Sequence, residues 1–137
     1  MNHAVIVEAI RSPMGRAKPD GSLAEVHPVD LLSQVLEQLV RKTGIDPGSV
    51  DDVICGCVSQ AGEQAGTPGR LAWLAAGLPL HVPSTTIDRK CGSSQQAVHF
   101  AAQAIMSGAQ DIVIACGVES MSRVPMGSSR MGKNTTG

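Results

Sequence analysis

Four apolar runs, at residues 4–10, 50–58, 82–87 and 110–118, alternate with stretches in which apolar side chains recur at helical spacing. That alternation constrains the fold more than any single motif, because strand, helix and strand in repeated succession predict an α/β protein with a mainly parallel sheet and right-handed crossovers. Residues 4–10 (Ala4-Val5-Ile6-Val7-Glu8-Ala9-Ile10) read as the first strand, their near-continuous apolarity fitting burial on both faces. Pro28 opens the first helix, with Leu31, Leu32, Val35, Leu36, Leu39 and Val40 repeating along one side, Asp30, Glu37, Arg41 and Lys42 on the other, and Gly44 at its end. Asp46-Pro47-Gly48 signals a turn into the second strand. Thr67-Pro68 reads as N-cap and first residue of a short second helix closed by Gly77, and a third helix runs to Gly108. The expected order is βαβαβαβ.

The third helix departs from the usual pattern. From 91 to 110 there is no charged residue, and alanines fall on more than one side. A helix covering a sheet shows a charged outer face, so this one is expected to be buried all round, with Gln95, Gln96, His99 and Gln103 hydrogen-bonded inside the protein. Its second neighbour then comes from sequence outside these 137 residues or from another chain.

Cys91 stands where the third strand gives way to that helix. Unpaired N–H groups and the helix dipole at this position favour negative charge, and Arg89 and Lys90 precede it, so the thiol is expected to ionise more readily than a free cysteine. Gly92, Ser93 and Ser94 are small enough to let a carbonyl substrate approach the sulfur and the backbone donors. A free cysteine is also commonly a small buried apolar residue, and the residues by themselves leave both readings open.

Length and charge narrow the rest. The 137 residues fit one small domain, and a net charge of −1 with interspersed signs offers no electrostatic footprint for nucleic acid and no basic membrane patch. The opening residues lack a basic segment before an apolar one, and no apolar run is long enough to span a bilayer, so a soluble cytoplasmic protein is expected. Cys55 and Cys57 alternate onto one face of the second strand and Cys116 falls in the fourth; with no further Cys or His pair at ligand spacing, these three read as buried thiols and no metal site is expected. His99 lies two turns into the helix, too far along it to act as the base for Cys91. Arg70 is expected at the surface.

From Glu119 onward the composition shifts to Ser, Met, Gly and basic residues, and a boundary is placed there, with 1–118 as the α/β domain and 119–137 as a separate element. Glu119 is a candidate general base, although a carboxylate capping a turn among serines is the commoner case. Arg123, Arg130 and Lys133 are either an anion-binding set or an open basic tail.

Asp88-Arg89-Lys90-Cys91-Gly92-Ser93-Ser94 before an uncharged alanine-rich helix, together with Gly117-Val118-Glu119-Ser120-Met121-Ser122, resembles the amino-terminal part of a thiolase. The similarity runs from Ile10-Arg11-Ser12-Pro13-Met14-Gly15 to Pro125-Met126. It implies that Cys91 is the nucleophile, attacking a 3-ketoacyl-CoA, expelling an enolate, and remaining as an acyl-thioester that coenzyme A cleaves; the reverse is condensation of acetyl-CoA. It also implies that the Cys91 N–H helps form an oxyanion hole, that coenzyme A thioesters are substrates with no bound cofactor, and that the full-length protein is a homo-oligomer, dimer or tetramer, pairing through the third strand. In the family the matching helix lies between two sheets.

The same resemblance makes the chain an incomplete thiolase-like fold, carrying four strands of the amino-terminal half, with 119–137 as the start of an inserted loop domain. The family's Gly-His-Pro histidine and late Cys-x-Gly cysteine, its base and acid, have no match here, and Cys55-Gly56-Cys57 is in the wrong place. Thr67 stands where many relatives carry Asn. Proton transfers commonly supply roughly 10²–10⁴-fold, so weak or no turnover is expected of these residues alone. Two alternatives remain at this point: a truncated half acting only in assembly, and a ketoacyl synthase on the same fold, which Arg89-Lys90 and the Gly117–Met121 segment suit less well.

Overall fold

The computed structural model describes residues 3–130. α1 spans Pro28–Thr43, β1 Asp52–Gly56, α2 Pro68–Ala75, β2 Ser84–Ile87, α3 Ser93–Ser107 and β3 Val113–Gly117. The three strands form one parallel sheet in the order β2-β1-β3. Short 3-10 turns lie at Pro47–Ser49, Gly62–Gln64 and Ser128–Arg130.

Strand alternation divides the core between the two faces of the sheet. Val53 and Cys55 of β1 point to one side, where Leu32 and Leu36 of α1, Ala72 and Trp73 of α2, Val82 and Ile114 join them. Ile54 points to the other, against Ala97 and Ala101 of α3. The sheet is therefore the middle of three layers. Trp73 is fully enclosed, and its indole N–H donates to Pro79 O at 2.8 Å, so its one polar group is satisfied.

The helix ends fall where their punctuation places them. His27 Nδ1 accepts from the Val29 N–H at 3.2 Å and Pro28 takes the first helical position, while Gly44 (φ +67°) and Gly108 (φ +77°) provide the left-handed caps of α1 and α3. Asp46 accepts from the Gly48 N–H at the turn before β1. Asp51 accepts from Asp111 and Ile112 N–H at 2.7 and 3.0 Å, which ties the starts of β1 and β3 together.

The first expected strand is not formed. Residues 4–10 make no ladder among the described residues, and Val5, Ile6 and Val7 are 74–80% exposed. A cavity of about 920 Å³ lies between this segment and β3, lined by both and by α1 and α3. Apolar, β-branched composition favours an extended chain, but a strand also needs a neighbour at hydrogen-bonding distance, and across this gap there is none. The described fold thus has three strands rather than four, in the order αβαβαβ.

α3 is likewise buried on one side only. Ser93, Gln96, Ala97 and Ala101 face the sheet, while Val98, Phe100 and Met106 stand open at 43–45% exposure. Gln95, His99 and Gln103 lie on the exposed side, so of the four polar residues expected inside only Gln96 is buried. The missing outer charge marks a face that nothing within residues 3–130 covers.

Candidate active site

The carboxyl ends of the three strands are level: Gly56 of β1 is in register with Ile87 of β2 on one side and Gly117 of β3 on the other. Functional groups of parallel sheets gather beyond such ends. Cys91 is there, four residues past Ile87 and exposed to solvent.

The loop carrying it is closed by its own side chains. Asp88 Oδ1 accepts from the Lys90 N–H at 2.7 Å and its Oδ2 meets Lys90 Nζ at 2.5 Å. Lys90 is turned into the left-handed region (φ +50°), a conformation lysine adopts only when its surroundings impose it. Ser93 Oγ accepts from the Arg89 N–H at 2.9 Å and donates to Lys90 O at 2.6 Å, while the Gly92 and Ser93 N–H groups donate to Arg89 O and Lys90 O. Every one of these bonds bypasses the Cys91 N–H. Cys91 precedes the N-cap Gly92, which has no side chain with which to cap α3.

The two cations before the cysteine are engaged. The Lys90 side chain and N–H hold the Asp88 carboxyl below its usual value, with Arg130 contributing, and Arg89 donates to Gln96 of α3. The charges therefore brace the loop.

The other thiols differ sharply. Cys55 and Cys57 are buried; burial, then Glu119 and its neighbours, pushes the Cys57 thiol up to about 12. Cys116 is in register with Cys55, and its hydrogen bond to that thiol together with burial raises it well above the ordinary range. No group of His, Cys, Asp and Glu suited to a metal occurs among the described residues. Among the described residues, no helix is long and apolar enough to cross a membrane.

Glu119 is a structural cap. Its carboxylate accepts from the Val58 and Ser59 N–H groups at 2.9 and 3.1 Å and from Gln64 Nε2 at 2.9 Å, three bonds that fix it in place as a cap for the loop after β1. Arg123 grips Glu63 through Nε and Nη2 at 2.5 and 2.7 Å, so it is no open anion ligand. Arg70 is not a free surface charge: it donates to Val82 O and Leu80 O, clamping the loop before β2. Thr67 precedes α2 with φ +61° and no capping bond from its side chain. Lys133 lies outside the described residues.

An exposed cysteine on a strand-to-helix loop, set over the carboxyl ends of a parallel sheet between two helical layers, defines a layered α/β protein with a thiol where such sheets gather functional groups. The thiolase N-terminal domain family matches residues 4–136, and the chain belongs to that family. It is 52% identical over 129 residues to the steroid 3-ketoacyl-CoA thiolase FadA6 of Mycobacterium tuberculosis, covering 94% of this chain and 31% of that protein. It is 49% identical over 132 residues to the beta-ketoadipyl-CoA thiolase of Acinetobacter baylyi, covering 94% and 32%. The acetyl-CoA acetyltransferase of Bacillus anthracis superposes with a TM-score of 0.84 at 42% identity, over 91% of this chain and 31% of that one. The chain thus spans about a third of the length of the relatives it matches.

Proposed function

We propose that Cys91 is the acyl-accepting nucleophile of a thiolase-type acyltransferase acting on coenzyme A thioesters. One observation carries the reading: among four thiols, Cys91 alone is exposed, and it stands beyond the level strand ends at the entrance to α3. Its Sγ attacks the 3-keto carbon of a 3-ketoacyl-CoA; the C2–C3 bond breaks, the electron pair leaves on the acetyl-CoA enolate, and that carbon takes a proton. The acyl group stays on sulfur until the thiol of coenzyme A displaces it. The Cys91 N–H, which meets no acceptor among the described residues, supports its assignment to an oxyanion hole for the tetrahedral intermediate. The proton donor and acceptor of the cycle belong to the two thirds of a full-length relative that these residues do not match.

A second reading, assembly, is favoured by the open face of α3 with Val98, Phe100 and Met106. It is compatible with the first, because a covered α3 and a homo-oligomer joined through the free edge of β2 both belong to a complete enzyme. The stretch from 119 onward is assigned to the start of an inserted loop domain.

Intact mass after mixing with acetoacetyl-CoA tests the nucleophile. An acetyl adduct that disappears in Cys91→Ala supports it; an adduct that survives the substitution, or no adduct even with the rest of a thiolase present, overturns it.

A further inference from the structure

Gly56 and Gly117 are cross-strand partners at the ends of β1 and β3, and the first turn of α3 rests directly on both. A Cβ at Gly56 would lie 2.3 Å from Ser94 N and 2.5 Å from Ser93 C. One at Gly117 would lie 1.9 Å from Ser94 Oγ, 3.0 Å from Gly56 O and 3.1 Å from Ser94 Cβ. Neither glycine has a positive φ, so the need is for space and not for backbone freedom. The turn they support is the one that Ser93 ties to Arg89 and Lys90, the two residues before the nucleophile.

We propose that Gly56 and Gly117 are positioning residues for Cys91, a side-chain-free floor that sets how deeply the start of α3 sits against the sheet and hence where the sulfur and the Cys91 N–H point. The proposal rests on the nucleophile reading and adds the part that places it. The two glycines act on different atoms. Gly117 is opposed most severely by a side chain, which can be removed, with backbone only at the 3.0 Å margin, and Gly56 by backbone alone, which cannot. The strand ends are also where a ligand would approach, so a lifted helix start changes reactivity before it changes the fold.

The test is the pH profile of Cys91 alkylation by iodoacetamide, read by peptide mass, with thermal melting in parallel. Gly117→Ala is expected to slow Cys91 at pH 7 roughly three- to tenfold and shift its profile, because dipole and N–H effects fall off within one turn. Adding Ser94→Gly removes the severe clash and is expected to return the rate most of the way to that of Ser94→Gly alone, the 3.0 Å approach to Gly56 O remaining. Gly56→Ala is expected to slow Cys91 with no such rescue. Gly69→Ala is the structural control: its Cβ would meet Cys55 Cβ at 2.5 Å beneath α2, so it should lower the melting temperature and leave the Cys91 profile unmoved.

An unchanged profile in folded Gly117→Ala overturns the proposal, as does a Gly69→Ala profile displaced equally. If Gly117→Ala does not fold, the double variant decides: folding with a profile near that of Ser94→Gly supports the proposal, and failure to fold overturns it. A wild-type Cys91 that reacts no faster than Cys116 would instead remove the nucleophile reading beneath it.

Discussion

Gln64 and Glu119 hold each other across 55 residues of chain: Gln64 Nε2 donates to Glu119 Oε1 at 2.9 Å, and Gln64 Oε1 accepts from the Ser120 N–H at 2.6 Å. Gln64 is fully buried, so this pair fastens the segment after β3 to the loop after β1, beyond the same carboxyl ends of the strands that Cys91 follows. Truncating either residue leaves buried donors without partners. Gln64→Ala is expected to cost about 2–4 kcal/mol in urea unfolding, and a double-mutant cycle with Glu119→Ala to show coupling of about 1 kcal/mol or more. Additive losses would mean the two act separately.

Thiol chemistry should separate Cys91 from its three neighbours. With a disulfide reagent at pH 8, the folded protein is expected to show one fast phase, absent in Cys91→Ser. Cys57, with its thiol pushed up to about 12, and buried Cys55 should react only as urea opens the core. Fast labelling of Cys57 in the native protein would contradict its burial.

Thr67 is a β-branched residue held at φ +61° without a capping bond in return. Asparagine tolerates this region better, and Thr67→Asn is expected to stabilise by about 0.5–1.5 kcal/mol, raising the melting temperature by a few degrees. A lower melting temperature would show that the Thr67 methyl contributes more than its backbone costs.

The Glu63 and Arg123 pair predicts a specific acid limb. The Arg123 guanidinium hydrogen-bonds Glu63 and lowers its carboxyl from 4.5, with His27 nearby adding to the effect. A carboxyl lowered on folding contributes stability above its unfolded value, and the contribution is lost as pH falls through the folded value. Stability attributable to the pair should thus be constant above about pH 5 and decline below 4.5, and Glu63→Gln should flatten that decline. Melting temperatures across pH 3 to 7 would show it; an identical slope in the variant would remove the pair from the acid limb.

How much of this was legible beforehand follows from where each signal resides. The three helices, their proline and glycine ends and the strand cores are local properties, and they appear where pattern and capping put them. The junction that carries Cys91 is also local, and so is the resemblance that named its family. The commoner, structural reading of Glu119 held, since a carboxylate among small polar residues meets backbone donors at a turn.

The rest depended on partners distant in sequence. Residues 4–10 have the composition of a buried strand, yet a ladder exists only where a neighbour lies within bonding distance, and here a cavity intervenes. Arg70 and Arg123 read alike as loose charges, and only folding brings Val82 O and Leu80 O to one and Glu63 to the other. The glycines under α3 carry no sequence signal of their own, because their requirement is set by how closely a helix from residue 93 onward approaches strands ending at 56 and 117. The sequence by itself determined the three helices, the cores of three strands, their ends and the place of Cys91, since those follow from local conformational preference. Tertiary structure alone decided which strands pair, which charges are spent and what holds Cys91 in place, since those follow from distances between atoms far apart along the chain.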